Sequence, residues 1–247
     1  MKYLCLNIPT LAFECELIEF VHNGEIIKIA AHPNDYITSV ISGQYPPPQH
    51  DKTFYDIKIL EYVKSKYVGG VALDIGANIG NHTVYYSKFI FNKVFSFEAN
   101  LKNFALLTEN KRINGLNDDK LIIHHTGLSD GYYKFKSREI YGNMGGNKVI
   151  EGDGDLITKK LDDFDLPKID FIKMDVEGHE LKVLKGGINL INRDFPDILL
   201  ECNEKTDSDY SIINPYMLSL NYELIPNYYE MKSTLFGPNF YYTHNKK

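Results

Sequence analysis

Short apolar runs alternate with amphipathic segments along most of the chain. The runs that predict strands are VALDI from 71, KVFSFE from 93, LIIHHT from 121, FIKMD from 171 and DILLEC from 197. Between them the pattern predicts helices that begin near Asn81, at Asn100 and near His179. Strands that alternate with helices are typical of βαβ units, so we expect an α/β fold with a mostly parallel sheet.

The helix predicted from Asn100 illustrates the pattern. Leu101, Phe104 and Ala105 fall on one predicted face, and Asn100 is placed to cap the free N–H groups at the start. A helix of this kind is suited to covering a sheet.

The two ends of the chain follow other patterns. Strand-like positions at 16–20 and 26–31 flank a turn at 22–25 and predict a hairpin, and apolar positions between 54 and 63 suit a helix. We therefore expect an N-terminal extension, residues 1–66, packed on a core domain, residues 67–247. From Tyr222 onward, apolar and aromatic clusters predict two closing strands.

Two segments lack a clear periodic pattern. Pro46, Pro47 and Pro48 predict an extended connector, and residues 140–155, rich in Gly, Asn and Asp, predict a loop or loose hairpin. The Tyr-rich tail, which includes Tyr228, Tyr229, Phe236, Phe240, Tyr241 and Tyr242, could pack a sheet or present flat faces to a sugar ring.

Composition narrows the class of protein. With 43% hydrophobic and 24% charged residues over 247 positions, the chain is globular, and its net charge of −6 disfavours a nucleic-acid partner. No apolar run approaches the roughly 20 residues that span a bilayer, and polar residues interrupt the apolar amino terminus, so we expect neither a membrane segment nor a secretory signal. Cys5, Cys15 and Cys202 lack metal-ligand spacing, which favours a reducing, cytoplasmic location.

The segment VALDIGANIGNHT, residues 71–83, carries the strongest chemical signal. An apolar strand ends in Asp74 and turns through Gly76 and Gly80 into a helix, as in loops that approach a nucleotide. Asn78 occupies the position where a dinucleotide fingerprint has Gly, and no Gly-Lys-Ser/Thr follows, which disfavours a pyrophosphate or a phosphate loop. Glu98 ends the next strand, where a carboxylate can accept hydrogen bonds from a ribose diol, so the pattern indicates an adenosine-like ligand.

In combination, DIGANIG, the carboxylate in FSFEAN, IKMDVEGHE and ILLECNE resemble the FkbM-type methyltransferases. This resemblance, over roughly residues 35–205, implies a Rossmann-like class I methyltransferase fold whose seven-stranded, mostly parallel sheet has helices on both faces. It also implies S-adenosylmethionine as cofactor and a hydroxyl as acceptor, with a sugar of a polysaccharide or glycoconjugate as the expected substrate.

The same resemblance implies roles for individual residues. Asp74, Gly76, Asn78 and Gly80 would line the cofactor and Glu98 would hold its ribose. Within the turn at 126–130, Gly127 and Leu128 would lie by the adenine, and Asp175 would lie by the sulfonium.

Methyl transfer to an alcohol needs a base close to the methyl group. Around the strand end at Asp175 we expect His179 to serve, because an ordinary imidazole is largely neutral at pH 7. Glu177, His82 and Lys173 are the alternatives, in that order. His82, Lys173 and Glu201 are also expected to contact the substrate.

The same residues allow other interpretations. Asp175 and Glu201 could hold a divalent ion, although such sites usually gather more oxygens. His124 and His125 alternate to opposite faces of a strand and cannot chelate one ion together. A nicotinamide-dependent oxidoreductase or sugar-nucleotide epimerase, or a non-catalytic module that binds an adenosyl ligand, shares the same layout of strand, Gly loop and acid.

Overall fold

The structure is a computed structural model that describes residues 2–4, 13–45, 51–138, 148–152, 154, 156–202, 209–225 and 239–246. The strands are β1 Lys2–Leu4, β2 Glu14–His22, β3 Glu25–Ala31, β4 Val71–Ile75, β5 Lys93–Glu98, β6 Leu121–His125, β7 Lys134–Arg138, β8 Lys148–Glu151, β9 Leu156–Ile157, β10 Phe171–Met174, β11 Asp197–Glu201, β12 Tyr222–Leu224 and β13 Asn239–His244. The helices are α1 Tyr36–Ile41, α2 Ile57–Lys66, α3 Asn81–Phe89, α4 Leu101–Ile113, α5 Glu180–Gly186, α6 Ile188–Asp194 and α7 Tyr210–Ser219.

A seven-stranded sheet in the order β12-β13-β11-β10-β4-β5-β6 forms the centre of the molecule. Strands β4, β5, β6, β10 and β11 are parallel, and β13 runs antiparallel to both of its neighbours. The strand order reverses between β4 and β10, and in open parallel sheets ligands bind at the carboxyl ends of the strands on either side of such a reversal. The expected mostly parallel sheet is confirmed.

Strand alternation divides the core into two layers, one on each face of the sheet. Ala72 and Phe171 point to a cluster that also contains Leu60, Val84 and Leu106 of helices α2, α3 and α4. Their neighbours Leu73 and Ile172 point to the opposite cluster, with these residues of α5, α6 and α7: Val183, Leu184, Leu190, Ile191, Ile213 and Met217. The expectation of helices on both faces is confirmed.

The predicted N-terminal hairpin is present as β2 and β3, joined by a turn in which Asn23 and Gly24 both have positive φ. Its apolar side belongs to the same cluster as α2, α3 and α4. The predicted helix after Phe54 is α2. The sequence pattern did not predict α1, nor the small sheet β8-β7-β9.

Helix α4 shows how packing modified one prediction. Asn100 caps it by accepting hydrogen bonds from the N–H groups of Lys102 and Asn103, as expected. Leu101, however, is 40% exposed, so its predicted place on the buried face is wrong. The buried face instead includes Asn110, whose amide bonds the backbone N–H and C=O groups of Ala30, because strand β3 lies against this helix.

The chain termini and the Gly-rich segment are described in part. The predicted closing strands are confirmed as β12 and β13. Within the expected loop at 140–155, residues 148–151 form strand β8, whereas 140–147, 153 and 155 lie outside the described residues. Pro46, Pro47, Pro48, Tyr228, Tyr229, Phe236 and Cys5 also lie outside them. Among the helices that are described, none is both long and apolar enough to cross a bilayer.

Candidate functional site

A pocket lies at the carboxyl ends of β4, β5, β6 and β10, where the strand order reverses. It encloses about 630 Å³, counting the space that is open to solvent. Eight of the residues singled out from the sequence line it: Gly76, Asn78, Glu98, Gly127, Leu128, Asp175, Glu177 and His179. The fold therefore brings together residues from four separate strand ends.

Gly76 allows the two central loops to approach each other. Its φ of +75° favours glycine, and a Cβ atom placed on it would lie 1.7 Å from the backbone oxygen of Asp175. The N–H groups of Gly76 and Ala77 both donate hydrogen bonds to the backbone oxygen of Phe97, each 3.0 Å long. A larger residue at position 76 would thus displace one wall of the pocket.

Glu98 is buried beside this loop and holds two segments of backbone. One carboxylate oxygen accepts a hydrogen bond from Asn78 N at 2.7 Å and the other from Asn100 N at 2.7 Å. Burial raises the pKa of Glu98 to about 7, although these two hydrogen bonds lower it. Each oxygen keeps a lone pair, so the carboxylate can still accept hydrogen bonds from a ligand in the pocket.

Asp74 and Gly80, which the resemblance assigns to the cofactor, are not among the residues that line this pocket. Asp74 is fully buried beneath the loop, where it accepts a hydrogen bond from Thr83 Oγ1 at 2.5 Å. Gly80 precedes helix α3 with φ +88°, and a Cβ atom there would lie 2.5 Å from Leu107 Cδ1 of α4. Both residues shape the loop from behind, because their positions face the packed helices rather than the pocket.

Lys173 is buried among acidic groups behind the same loop. Its ammonium nitrogen lies 3.6 Å from Asp74 Oδ1 and 3.5 Å from Asp175 Oδ2. Burial lowers the pKa of Lys173, but Asp175, Asp74 and Glu201 raise it by more, so the pKa is raised overall. A raised pKa keeps the side chain protonated at neutral pH, which disfavours the alternative of Lys173 as the base.

The loop after β10 is held in shape by Glu180, the first residue of α5. This carboxylate is 1% exposed and accepts hydrogen bonds from Val176 N at 2.9 Å and Gly178 N at 3.1 Å. Glu177 adopts a left-handed backbone conformation with φ 54°. The result is a tight turn from which Asp175, Glu177 and His179 all line the pocket.

The opposite wall is formed by the turn after β6. Thr126 N donates a hydrogen bond to the backbone oxygen of Glu98 at 3.0 Å, and Lys159 N donates one to the backbone oxygen of Gly127 at 3.0 Å. A Cβ atom on Gly127 would lie 2.9 Å from Phe135 Cζ. The turn predicted from 126 to 130 thus lies against the small sheet and closes this end of the pocket.

A group of titratable residues surrounds Lys173 next to the pocket. Burial, Asp175 and Glu177 raise the pKa of Glu201 well above its usual range. Burial and the nearby Lys173 charge lower the pKa of His82 well below its usual value, so the ring is neutral at pH 7. Glu201 and His82 therefore lie within electrostatic reach of the Asp175 end, although neither lines the pocket itself.

The sequence interpretation missed Asp56, which belongs to this group. Burial and Asp175 raise the pKa of Asp56 to about 7, and Lys173 opposes the shift. Asp56 precedes helix α2 but makes no side-chain capping bond, and its φ of 56° is unusual for a residue other than Gly. The only signal in the sequence was an acidic residue before a helix, which ordinarily indicates a cap.

Asn103 is a second residue of the pocket that the sequence interpretation missed. It lies on α4, lines the pocket, and its Oδ1 is 2.8 Å from His32 Nε2, just after the hairpin. The residue that follows the N-terminal hairpin thus contacts the pocket wall.

Metal ligation finds no geometric support in the described part of the chain. No group of three or more His, Cys, Asp or Glu residues there could hold a metal ion, so nothing described completes a site around Asp175 and Glu201. His124 stacks on Phe97 and His125 on Phe104, which confirms that they point to opposite faces of the sheet.

Comparison with known proteins identifies similar chains. The family model described as Methyltransferase FkbM domain matches residues 74–224. A curated relative, Hexuronic acid methyltransferase AglP of Haloferax volcanii, is 36% identical over 130 residues, which cover 49% of this chain and 51% of the relative. The chain therefore spans about half the length of the curated relative it matches.

Two solved structures share the fold. Methyltransferase FkbM from Methylobacillus flagellatus is 20% identical with a TM-score of 0.52, over 70% of this chain and 43% of that chain. Ribosomal protein L11 methylase from Lactobacillus delbrueckii is 12% identical with a TM-score of 0.51, over 76% of each chain. These likenesses establish the class I methyltransferase architecture.

Proposed function

The chain belongs to the FkbM methyltransferase family, and from this premise we propose that it transfers a methyl group from S-adenosylmethionine to a hydroxyl of a sugar in a polysaccharide or glycoconjugate. The observation that carries the proposal is the pocket where the strand order reverses, which combines the Gly76 loop, buried Glu98 and Asp175. The name of the curated relative supports a sugar acceptor.

The residues present fit the cofactor at one end of the pocket. Glu98 has lone pairs left for a ribose diol, and Gly127 and Leu128 border the space where an adenine ring would lie. Asn78 Oδ1 is a buried oxygen without a hydrogen-bond partner among the described protein groups, and it lies in the same loop. S-adenosylmethionine would supply an electrophilic methyl group on a sulfonium, toward the Asp175 end.

The acceptor hydroxyl must then lose its proton beside Asp175. His179 lines that end of the pocket at the start of α5, and we retain it as the proposed general base. Glu177 lines the same wall and is the first alternative; His82, whose ring is kept neutral by burial, is the second. Asp175 would orient the sulfonium and the acceptor, while Lys173, Glu201 and His82 form the surface behind them.

Behind the loop, Asp74 and Gly80 hold the cofactor-binding backbone in shape. Asp74 does so through Thr83 and Lys173, and Gly80 does so by allowing α3 to pack on α4. Their proposed contribution to cofactor binding is thus indirect.

Location and partners belong to the same proposal. Cys15 and Cys202 are buried thiols, which suits a reducing cytoplasm. The net charge of −6 supports an acceptor other than a nucleic acid. We also retain residues 1–66 as a proposed extension of the catalytic domain 67–247.

Calorimetric titration with S-adenosylmethionine, S-adenosylhomocysteine and NAD tests the proposal. We expect both adenosyl ligands to bind and NAD not to bind. Binding of NAD alone would instead indicate an oxidoreductase or epimerase. Adenosyl binding without methyl transfer to any hydroxyl acceptor, saccharides included, would indicate a non-catalytic binding module.

A further inference from the structure

A second, open groove lies on the N-terminal side of the molecule. It encloses about 860 Å³, counting the space open to solvent, and its lining residues come from β2, the turn after β3 and the α1 region. They are Glu16, Asn34, Asp35, Tyr36, Thr38, Ser39, Gln44 and Tyr45. Tyr36 and Tyr45 are half-buried and pack edge to face, with ring centroids 5.0 Å apart.

A row of aromatic rings leads from this groove to the acidic group around Lys173. The Tyr36 ring lies 6.2 Å from the Tyr55 ring, which lies 6.4 Å from the His82 ring. Asn81 fixes the Tyr55 backbone by two hydrogen bonds, each 3.0 Å long, to its N–H and its oxygen. Tyr55 therefore links the groove to the start of α3 through its ring contacts and its backbone hydrogen bonds.

Asp56 lies where this row meets the Asp175 end of the pocket. The pKa of Tyr36 is raised first by burial, then by Tyr45 and then by the charge of Asp56. Asp56 also interacts electrostatically with Asp175 and Lys173. Strand alternation also directs Lys173 and Glu201 to the face of the sheet that carries α2 and α3. The groove and the reacting end of the pocket thus share one face of the sheet.

We propose that the groove lined by Tyr36 and Tyr45 binds a neutral sugar unit adjacent to the unit that is methylated, so that the acceptor is an uncharged oligosaccharide. This inference rests on the proposed function. Half-buried tyrosine rings offer flat apolar faces with a polar edge, and Asn34, Ser39 and Gln44 can bond hydroxyls.

The charges of the site select against acidic sugars, which would distinguish this chain from the curated relative that is named for a hexuronic acid. None of the described residues that line the groove is Lys, Arg or His, whereas Glu16 and Asp35 contribute carboxylates. Lys173, the buried cation next to the pocket, is already placed between Asp74 and Asp175. A uronic acid would bring a further carboxylate into this surface without a partner, which is costly when it is desolvated.

Saturation-transfer NMR on the full chain saturated with S-adenosylhomocysteine tests the inference. The probes are neutral tetrasaccharides of glucose, mannose, galactose and N-acetylglucosamine, a tetrasaccharide of galacturonic acid, and the corresponding monosaccharides. We expect at least one neutral tetrasaccharide to bind about tenfold more tightly than its monosaccharide, and Tyr36→Ala or Tyr45→Ala to remove that advantage. Tyr132→Ala, at a tyrosine that is 64% exposed and lies outside the groove, is the matched control.

Gln44→Lys tests the charge argument at an exposed position of the groove. We expect this variant to bind the galacturonic acid tetrasaccharide more tightly than the unmodified protein does. Equal or tighter binding of the acidic probe by the unmodified protein would overturn the inference. So would neutral binding that survives both tyrosine variants, or no saccharide binding by protein that binds S-adenosylhomocysteine. Failure to bind S-adenosylhomocysteine would overturn the proposed function itself, and the inference with it.

Discussion

The ammonium group of Lys173 donates a hydrogen bond to the backbone oxygen of Gly76 at 3.2 Å. This bond joins strand β10 to the loop after β4, on either side of the point where the strand order reverses. The two strands are already paired in register, with Lys173 opposite Asp74. Lys173, which lies on β10, thus fixes the position of the loop that follows β4.

Lys173→Met should destabilise the fold strongly. The change leaves the Asp74 carboxylate, which is fully buried, without its cation, and such unpaired charges typically cost about 3–5 kcal/mol. Urea unfolding of the two proteins measures the difference. Lys168→Met is the control, because Lys168 is 74% exposed and its pair with Asp170 at 3.9 Å should contribute less than about 1 kcal/mol. Similar losses in both variants would contradict the role of Lys173.

Gly76→Ala should disrupt both stability and cofactor binding. A methyl group at this position overlaps the Asp175 oxygen, so one of the two loops must move. Gly24→Ala separates the cost of the backbone conformation from the cost of the overlap. Gly24 has a similar φ of +79°, but nothing lies within 4 Å of a Cβ atom added there. We expect a loss of roughly 1–2 kcal/mol for Gly24→Ala from the backbone conformation alone. Gly76→Ala should lose more and should bind S-adenosylhomocysteine weakly, as measured by calorimetry.

Glu98→Ala should weaken S-adenosylhomocysteine binding by on the order of 1–3 kcal/mol. In the proposed complex the ribose hydroxyls would lose their acceptor, and the N–H groups of Asn78 and Asn100 lose the one they have. Calorimetry measures the change. Glu223→Ala, at an exposed position of β12, is the control and should leave the affinity unchanged. An unchanged affinity for Glu98→Ala would remove Glu98 from the proposed cofactor site.

The stability of the ligand-free protein should depend on pH through Glu98. Burial raises its pKa from 4.5 to about 7, so between these values the folded state binds more protons than the unfolded state. The contribution of Glu98 is therefore fully present below about pH 4.5 and is lost as pH rises through about 7. Urea unfolding at several pH values should show a shallower decline for Glu98→Gln than for the unmodified chain. Parallel curves would show that Glu98 does not titrate in this range.

His179→Ala should lower the rate of methyl transfer by roughly 10² to 10⁴ while cofactor binding persists. The expectation follows from its place on the pocket wall beside Asp175 and Glu177. Turnover with saturating cofactor, together with S-adenosylhomocysteine affinity, separates loss of chemistry from loss of binding. Normal turnover would transfer the proposed role to Glu177 or His82, which Glu177→Gln and His82→Ala would then distinguish.

The order of apolar runs and turn residues determined the sheet and the position of the pocket. Glu98 and Asp175, two of the proposed site residues, each come at the end of an apolar run, and parallel strands bring their carboxyl ends to one edge. Gly76, Asn78 and Gly127 could be recognised for the same reason. Local sequence is sufficient here because strand length and direction fix where the chain leaves the sheet.

Only the tertiary structure decided which of these residues face the pocket. Asp74 and Gly80 belong to the same motif as Gly76, yet Asp74 is bonded to Thr83 and Gly80 packs closely against Leu107, both behind the loop. Asp56 comes from the N-terminal part of the chain and interacts with Asp175 only because the hairpin, α1 and α2 share one face of the sheet with α3. The groove at Tyr36 lies on the same face. Spacing along a chain specifies local backbone, whereas the direction of a side chain and the charges around it depend on packing between distant segments.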